Sequence, residues 1–132
     1  MTASPLTFQE AWIASLKAQP TFSSGTFPKE IREAEWQGTD FDYPNIRVGL
    51  DYMPTINGCG PDTADVYIDI FAEDKSSKQA STIASAIIAL YHKIPFTSNG
   101  IRFSTVVVRK INAPERSIYA WMTRIHIYCE GI

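Results

Sequence analysis

The residues from Ala64 to Lys93 carry the pattern that most limits how this chain can fold. From 64 to 72 apolar residues occur at every second position, whereas from 80 to 91 they recur every three or four positions. The first spacing is that of one face of a β-strand, and the second is that of one stripe of an α-helix. The sequence therefore predicts a strand that leads into a helix, with each apolar surface covering the other. The strand face consists of Ala64, Val66, Ile68, Ile70 and Ala72, and the helix stripe of Ala80, Ile83, Ala84, Ile87, Leu90 and Tyr91.

The same periodicities predict the remaining elements. A helix is expected from Thr7 to Ala18, and strands are expected over 29–36, 45–52, 101–110 and 117–129. The order helix, three strands, helix, two strands predicts an α+β fold, in which two helices pack on one face of a largely antiparallel sheet of about five strands. The length of 132 residues suits a single domain, residues 1–132.

Short polar motifs mark the expected helix ends. Thr7 with Glu10, and Ser76 with Gln79, have the spacing of a capping box, so each pair is expected to begin a helix. His92 follows the second apolar stripe, where a helix C-terminus favours a cationic cap.

The sequence carries no recognisable catalytic or cofactor-binding motif. It contains no phosphate-binding glycine loop, HExxH or GxSxG pattern. Asp65 and Asp69 would lie ~13 Å apart on one strand, which is long for a catalytic carboxylate pair. Cys59 and Cys129 lack zinc-ligand spacing and are expected to be free thiols, and His126 has no ligand partner at such spacing. We therefore expect neither an enzyme nor a bound metal or cofactor.

Membrane insertion is also not expected. No run approaches ~18 consecutive apolar residues, and the first residues lack the basic and apolar regions of a signal peptide.

The face of the central strand opposite its apolar face mixes charged and aromatic residues. Such a face is typical of a protein–protein contact, although a sheet that wraps its own outer face is an alternative. The segment Met53–Asp62 contains two glycines, two prolines and the apolar residues Met53 and Ile56. We expect this loop to be mobile in the isolated subunit and to become ordered on a partner.

Charge is unevenly distributed along the chain. Twelve of the 14 acidic residues, but only six of the 12 lysines and arginines, lie before residue 93. Either acidic and basic strands pair within one subunit, or two unlike surfaces meet between copies. The second possibility predicts a head-to-tail ring. The residues expected at a subunit or partner interface are Met53, Ile56, Asp65, Tyr67, Asp69, Phe71, Glu73, Arg109, Lys110, Arg116, Met122 and Arg124.

The order of these pieces resembles a family of phage proteins. Three stretches carry the resemblance, in the order FPKEIREAEWQGTDFDYPNIRVGL, VYIDIFAEDKSSKQASTIASAI and NAPERSIYAWMTRIHIY. From Thr7 to Tyr128 the chain resembles the tail terminator, or tail completion, proteins of long-tailed bacteriophages.

This resemblance implies a structural role in a virion. It implies a homo-oligomeric ring, usually a hexamer, that caps the head-proximal end of the tail tube, ends tube growth and joins the tail to the head–neck connector. The implied partners are further copies of the chain, the tail tube protein and the connector protein. DNA would pass through the lumen without sequence-specific binding, and assembly would take place in the cytoplasm of the host bacterium. The alternatives are another neck or tail joint protein, such as a head-closure or tube subunit, or a small α+β ligand-binding domain or enzyme.

Overall fold

The computed structural model describes residues 5–20, 22, 30–34, 44–53, 61–72, 77–116 and 120–132. Within these residues two helices pack on one face of a curled, mostly antiparallel seven-stranded sheet, so the predicted α+β class is confirmed. In chain order the elements are α1 Pro5–Ala18, β1 Glu30–Glu33, β2 Asn45–Met53, β3 Asp62–Ala72, α2 Lys78–Tyr91, β4 Phe96–Ser98, β5 Ile101–Ile111, β6 Glu115–Arg116 and β7 Trp121–Gly131.

The central strand of the sequence is also central in the sheet. The strand order is β1-β2-β3-β7-β5-β4, and the two-residue β6 pairs with β7 beside this path. β1 pairs with β2 in parallel, and the other described pairings are antiparallel. We call the end that holds Met53, Asp62 and Gly131 the upper end of the sheet, and the end that holds Ala72 and Trp121 the lower end.

The core lies between this sheet and both helices, as the apolar patterns predict. Ile68 and Ile70 from β3, Ile83 and Ile87 from α2, and Trp12 from α1 have no solvent exposure. The four isoleucines belong to the strand face and the helix stripe that the sequence predicts to cover each other, so that prediction is confirmed.

The two helices also contact each other, on the face of the sheet that they cover. The Trp12 and Tyr91 rings lie 5.1 Å apart, and the Ser15 and Tyr91 hydroxyls are hydrogen-bonded at 2.8 Å. Cys129 lies buried below Trp12 as a free thiol, and Cys59 lies outside the described residues. Burial raises the pKa of the Cys129 thiol to about 12, so this thiol is unreactive.

Both predicted capping boxes are displaced from the observed helix starts. α1 begins at Pro5, so Thr7 already lies inside the helix. A proline suits the first helical position, because it lacks the N–H that would have no partner there. The N-cap of α2 is Ser77, whose side chain makes no capping hydrogen bond, and Ser76 lies outside the described residues.

Two short strands lie in segments where the sequence analysis predicts no strand. Phe96–Ser98 forms β4, and Asn99 and Gly100, with φ of 49° and 79°, form the tight turn that returns the chain to β5. Glu115 and Arg116 form β6 between the strands predicted over 101–110 and 117–129. The last strand continues past Cys129 to Gly131. These additions raise the strand number from about five to seven.

The C-terminus of α2 protects the outer edge of β5. The amide of Lys93 donates to the Val106 carbonyl at 2.7 Å, and the Val108 amide donates to His92 Nδ1 at 3.0 Å. His92 is the C-cap residue, as predicted, but its ring acts here as a hydrogen-bond acceptor and not as a cation. Two register shifts interrupt the β5–β7 pairing, one between Phe103 and Thr105 and one between Val108 and Lys110.

Candidate interaction surface

The candidate site is the face of the sheet that the helices leave uncovered, which we call the outer face. Alternation along β3 and β7 places odd-numbered residues of β3 and even-numbered residues of β7 on this face, all partly or fully exposed. The antiparallel register sets Asp69 opposite Arg124 and Tyr67 opposite His126. Cross-strand neighbours of this kind have Cβ atoms ~5 Å apart, so their side chains interact directly.

An ion pair with two hydrogen bonds joins the two strands near the lower end. Arg124 Nε lies 2.7 Å from Asp69 Oδ1, and Arg124 Nη2 lies 3.0 Å from Asp69 Oδ2. The guanidinium also lies over the Tyr67 ring, with Cζ 5.2 Å from the ring centroid. Chiefly through its hydrogen bonds to Asp69, the pKa of Arg124 is raised. Because the Arg124 side chain is 45% exposed, the pair contributes only ~0–1 kcal/mol to stability, and it mainly fixes the orientation of both groups.

Tyr67 and His126 form a stacked pair in the middle of the outer face. Their ring centroids are 4.9 Å apart and their planes are inclined by 20°. His126 Nε2 lies 3.2 Å from Asp65 Oδ1, which makes a charged pair when the imidazole is protonated. Loss of water contact, followed by the carboxylates of Asp51 and Asp65, raises the pKa of Tyr67. The Tyr67 hydroxyl is therefore protonated at neutral pH and hydrogen-bonded to the Asp51 side chain.

A second aromatic group extends this network toward β5. The Tyr128 hydroxyl donates to Glu130 Oε1 at 2.7 Å, and Arg109 Cζ lies 4.5 Å from the Tyr128 ring centroid. The hydrogen bond to Glu130, together with loss of water contact, raises the pKa of Tyr128 to about 12. The outer face is thus a layer of fixed aromatic rings whose polar edges are linked to charged groups.

The network decides between the two interpretations of the uneven charge. Asp69 pairs with Arg124, and Glu30 lies 2.7 Å from the buried Arg47, within one subunit. For these residues the opposite charges pair within one subunit, which is the first of the two possibilities. The cause is the β3–β7 register, which brings residues 55 positions apart into contact.

The structure brings most of the predicted interface residues onto this face. Asp65, Tyr67, Asp69 and Phe71 of β3 lie beside Met122 and Arg124 of β7. Arg109 and Lys110 extend the face along β5, Met53 lies exposed at its upper end, and Arg116 lies exposed on β6. Ile56 and Glu73 lie outside the described residues, as does most of the Met53–Asp62 loop. An interface role for these residues stays a prediction.

Sequence reasoning missed several members of the network. Asp51 and Glu130 were not among the predicted residues, and His126 was expected to have no carboxylate partner. The alternation of the strand predicted over 45–52 already placed Asp51 on the outer face, whereas Glu130 lies beyond the strand predicted over 117–129. The contact between His126 and Asp65, however, depends on a pairing register that spacing within one strand does not reveal.

Within the described ranges no three histidine, cysteine or carboxylate side chains lie close enough together to hold a metal ion. In the same part of the chain neither helix is long and apolar enough to cross a membrane.

A cleft of about 330 Å³ lies on the other side of the sheet, at its lower end. It opens between α2 and the segment that joins β5 to β6. The lining residues are Ser81, Ala84, Ser85, Ile88, Ile111, Asn112, Ala113, Pro114 and Thr123.

Comparison with solved structures shows what this fold is similar to. One similar chain belongs to the virion of a native gene transfer agent (GTA) particle, with a TM-score of 0.72, 16% sequence identity and coverage of 98% of both chains. A second similar chain, whose name states no function, has a TM-score of 0.65 and 14% identity, over 96% of this chain and 92% of the other. No protein-family model matches this sequence, and no curated protein matches it either. At these identities the comparisons show a shared fold that spans nearly the whole chain.

Proposed function

We propose that this chain is a structural subunit of a phage or phage-like particle, and that it forms the ring that caps the head-proximal end of the tail tube. The ring ends tube growth and joins the tail to the head–neck connector. The observation that carries this proposal is the fold shared with a chain of a GTA particle virion over 98% of both chains. The order of elements that resembles tail terminator proteins supports the same role.

The chemistry of the outer face supports a binding role over a catalytic one. Asp69 is engaged by Arg124, and Asp65 faces His126, so neither carboxylate is placed as the free partner of a catalytic pair. Fixed aromatic rings with polar edges, in contrast, are the groups that bind other proteins. We therefore propose that the chain is not an enzyme and works without a cofactor.

The proposed partners are further copies of this chain in a ring, six in number by resemblance, together with the tail tube protein and the connector protein. The net charge of −2 suits a lumen through which DNA slides, because many free cations would bind phosphates and slow its passage. The proposed location is accordingly the tail or neck of the virion, after assembly in the bacterial cytoplasm.

Deletion of the gene in a particle-producing host tests this role, with tail lengths measured by electron microscopy. Loss of a terminator is expected to give tail tubes of uncontrolled length that do not join heads. Tubes of normal length without heads would instead indicate a head-closure protein, and absence of tubes would indicate a tube subunit. Normal, infectious or gene-transferring particles would contradict any role in the particle.

Phe71→Asp tests the outer face as the assembly surface. Phe71 lies opposite Met122 at the lower end of β3, where a carboxylate would be forced into any apolar contact with a partner. We expect the variant to fold, because the side chain is already partly exposed, but to be absent from particles in a complementation assay. Thr97→Asp, which adds the same charge at an exposed position of β4, is the control and is expected to complement. Normal complementation by Phe71→Asp would remove this surface from the proposal.

A further inference from the structure

We propose that His126 is the proton-binding residue of a pH-sensitive switch on the outer face. Protonation of its imidazole creates an ion pair with Asp65, offsets the repulsion between Asp65 and Asp51, and tightens the pairing of β2 with β3 at the upper end of the sheet. The inference goes beyond the proposed function and does not depend on it, because every group involved lies within one subunit.

Two carboxylates lie opposite each other where β2 pairs with β3. The register sets Asp51 against Asp65, and both side chains reach solvent on the outer face. Like charges directly opposite on neighbouring strands destabilise the pairing of those strands. The Tyr67 hydroxyl is hydrogen-bonded to Asp51 but is uncharged, so it leaves the repulsion in place. The group at ion-pair distance from Asp65 is His126, whose Nε2 lies 3.2 Å from Asp65 Oδ1.

The geometry of this contact suits the protonated ring better than the neutral ring. His126 Nε2 is shielded from solvent and, within the part of the chain that the structure describes, has no hydrogen bond of good geometry. At this distance a neutral ring either turns the Nε2 lone pair toward the carboxylate or holds its N–H out of line with Asp65 Oδ1. The attraction between an imidazolium and a carboxylate does not need that alignment, so protonation completes the contact.

The aromatic neighbour of His126 favours the same state. The Tyr67 ring stacks on the imidazole, with centroids 4.9 Å apart and planes inclined by 20°. A cation over the face of a tyrosine ring within ~6 Å of its centroid is attracted to that ring. The stack therefore holds the imidazole beside Asp65 and adds to the stabilisation of its charged form.

Two neighbouring cations act against protonation of His126. Lys110 lies opposite His126 on β5, and Arg124 lies two residues before it on β7. The charge of Arg124 is offset by its two hydrogen bonds to Asp69. Lys110 is exposed, so water and salt screen its charge, and the contact with Asp65 dominates. The other charged or titratable groups beside these residues are Arg109, Tyr128 and Glu130, which form the network described above.

The direction of the pH dependence follows from the charge of the imidazole, which ordinarily changes between about pH 5 and 8. The attraction to Asp65 is present at the lower end of this range. It is absent at the upper end, where the repulsion between Asp51 and Asp65 acts without a compensating cation. The strands should therefore pair more tightly at low pH. The affected cross-strand pairs are Asp51–Asp65, Tyr52–Ala64 and Met53–Thr63.

Hydrogen exchange of the purified subunit at about pH 5.5 and about pH 7.5 tests the switch. The amides of residues 51–53 and 63–65 are followed, and their rates are expressed as protection factors, which removes the intrinsic effect of pH on exchange. In the wild-type protein we expect protection about 2- to 5-fold higher at the lower pH, the range for a partly exposed ion pair. His126→Gln, which cannot take up the proton, is expected to show the same low protection at both pH values.

Two further variants separate a switch from a merely structural role. Asp65→Asn removes the repulsion together with the ion pair, so it is expected to show high protection at both pH values. His92→Gln changes the other histidine of the chain, which caps α2 beside β5, and is expected to keep the full wild-type response at the amides of β2 and β3.

Four results would overturn the switch. They are equal wild-type protection at the two pH values, a response that survives in His126→Gln, a response that is lost in His92→Gln, or low protection in Asp65→Asn. The wild-type and His92→Gln measurements decide the matter even if His126→Gln fails to fold. A pH response together with normal particles after gene deletion would leave the switch and remove the proposed function, whereas uncontrolled tails without a pH response would do the reverse.

Discussion

Truncation of Ile87 measures how much the packing of α2 on the sheet contributes to stability. Ile87 has no solvent exposure and lies in the core cluster, so Ile87→Ala removes three buried carbon atoms. At ~0.8 kcal/mol for each buried methylene, the transfer contribution alone is ~2.4 kcal/mol. The cavity left behind adds to this loss, so the expected total is ~2–5 kcal/mol.

Ile88 provides a matched control one position further along the same helix. Its side chain is partly exposed and lines the cleft, so Ile88→Ala is expected to cost ~1 kcal/mol or less. The measurement is urea denaturation of both variants. With a slope of ~2 kcal/mol per molar urea, Ile87→Ala should lower the midpoint by ~1–2.5 M. A loss below ~1 kcal/mol, or equal losses for the two variants, would mean that α2 does not pack as described.

Three smaller perturbations probe other contacts. Gly131→Ala would place a Cβ 3.0 Å from the Phe8 ring and is expected to destabilise the fold by ~1–3 kcal/mol in thermal unfolding; an unchanged midpoint would contradict the close packing there. His92→Ala leaves the Val108 amide of β5 without its acceptor, so the fold should lose ~1–3 kcal/mol of stability and hydrogen exchange at that amide should accelerate. Unchanged exchange would contradict protection of the β5 edge by His92. Burial, followed by the hydrogen bond to Asp62, raises the pKa of Tyr52 from 10.0 to about 12, so the folded state binds this proton more tightly. This contribution to stability is complete below pH 10.0 and is lost as the pH rises toward 12. Tyr52→Phe should therefore reduce the fall in stability between these pH values, and identical alkaline unfolding curves for the two proteins would contradict this.

The fold was predictable where one periodicity extends over a whole element. The apolar residues of β3 and α2 repeat so regularly that their positions, their buried faces and four of the five central core residues follow from spacing alone. The short strands β4 and β6 carry no such repeat, because two or three residues are too few for one. They form because β4 hydrogen-bonds to the edge of β5 and β6 to β7, and these contacts depend on the tertiary structure.

The candidate surface was predictable in most of its members but not in its pairing. Alternation placed Asp69 and Arg124 on exposed faces of their strands, yet only the β3–β7 register shows that they bind each other. His126 was interpreted as a residue without a carboxylate partner for the same reason. The cleft was not predicted, since its walls come from α2 and from the segment after β5, which are joined only by packing.

The most direct test of the central claim is a cryo-electron microscopy reconstruction of the particle that contains this chain. The account predicts several copies arranged around the tail axis at the head-proximal end of the tube, each in contact with two neighbours of its own kind. A single isolated copy, a location away from the tail and neck, or copies repeated along the whole length of the tube would contradict it.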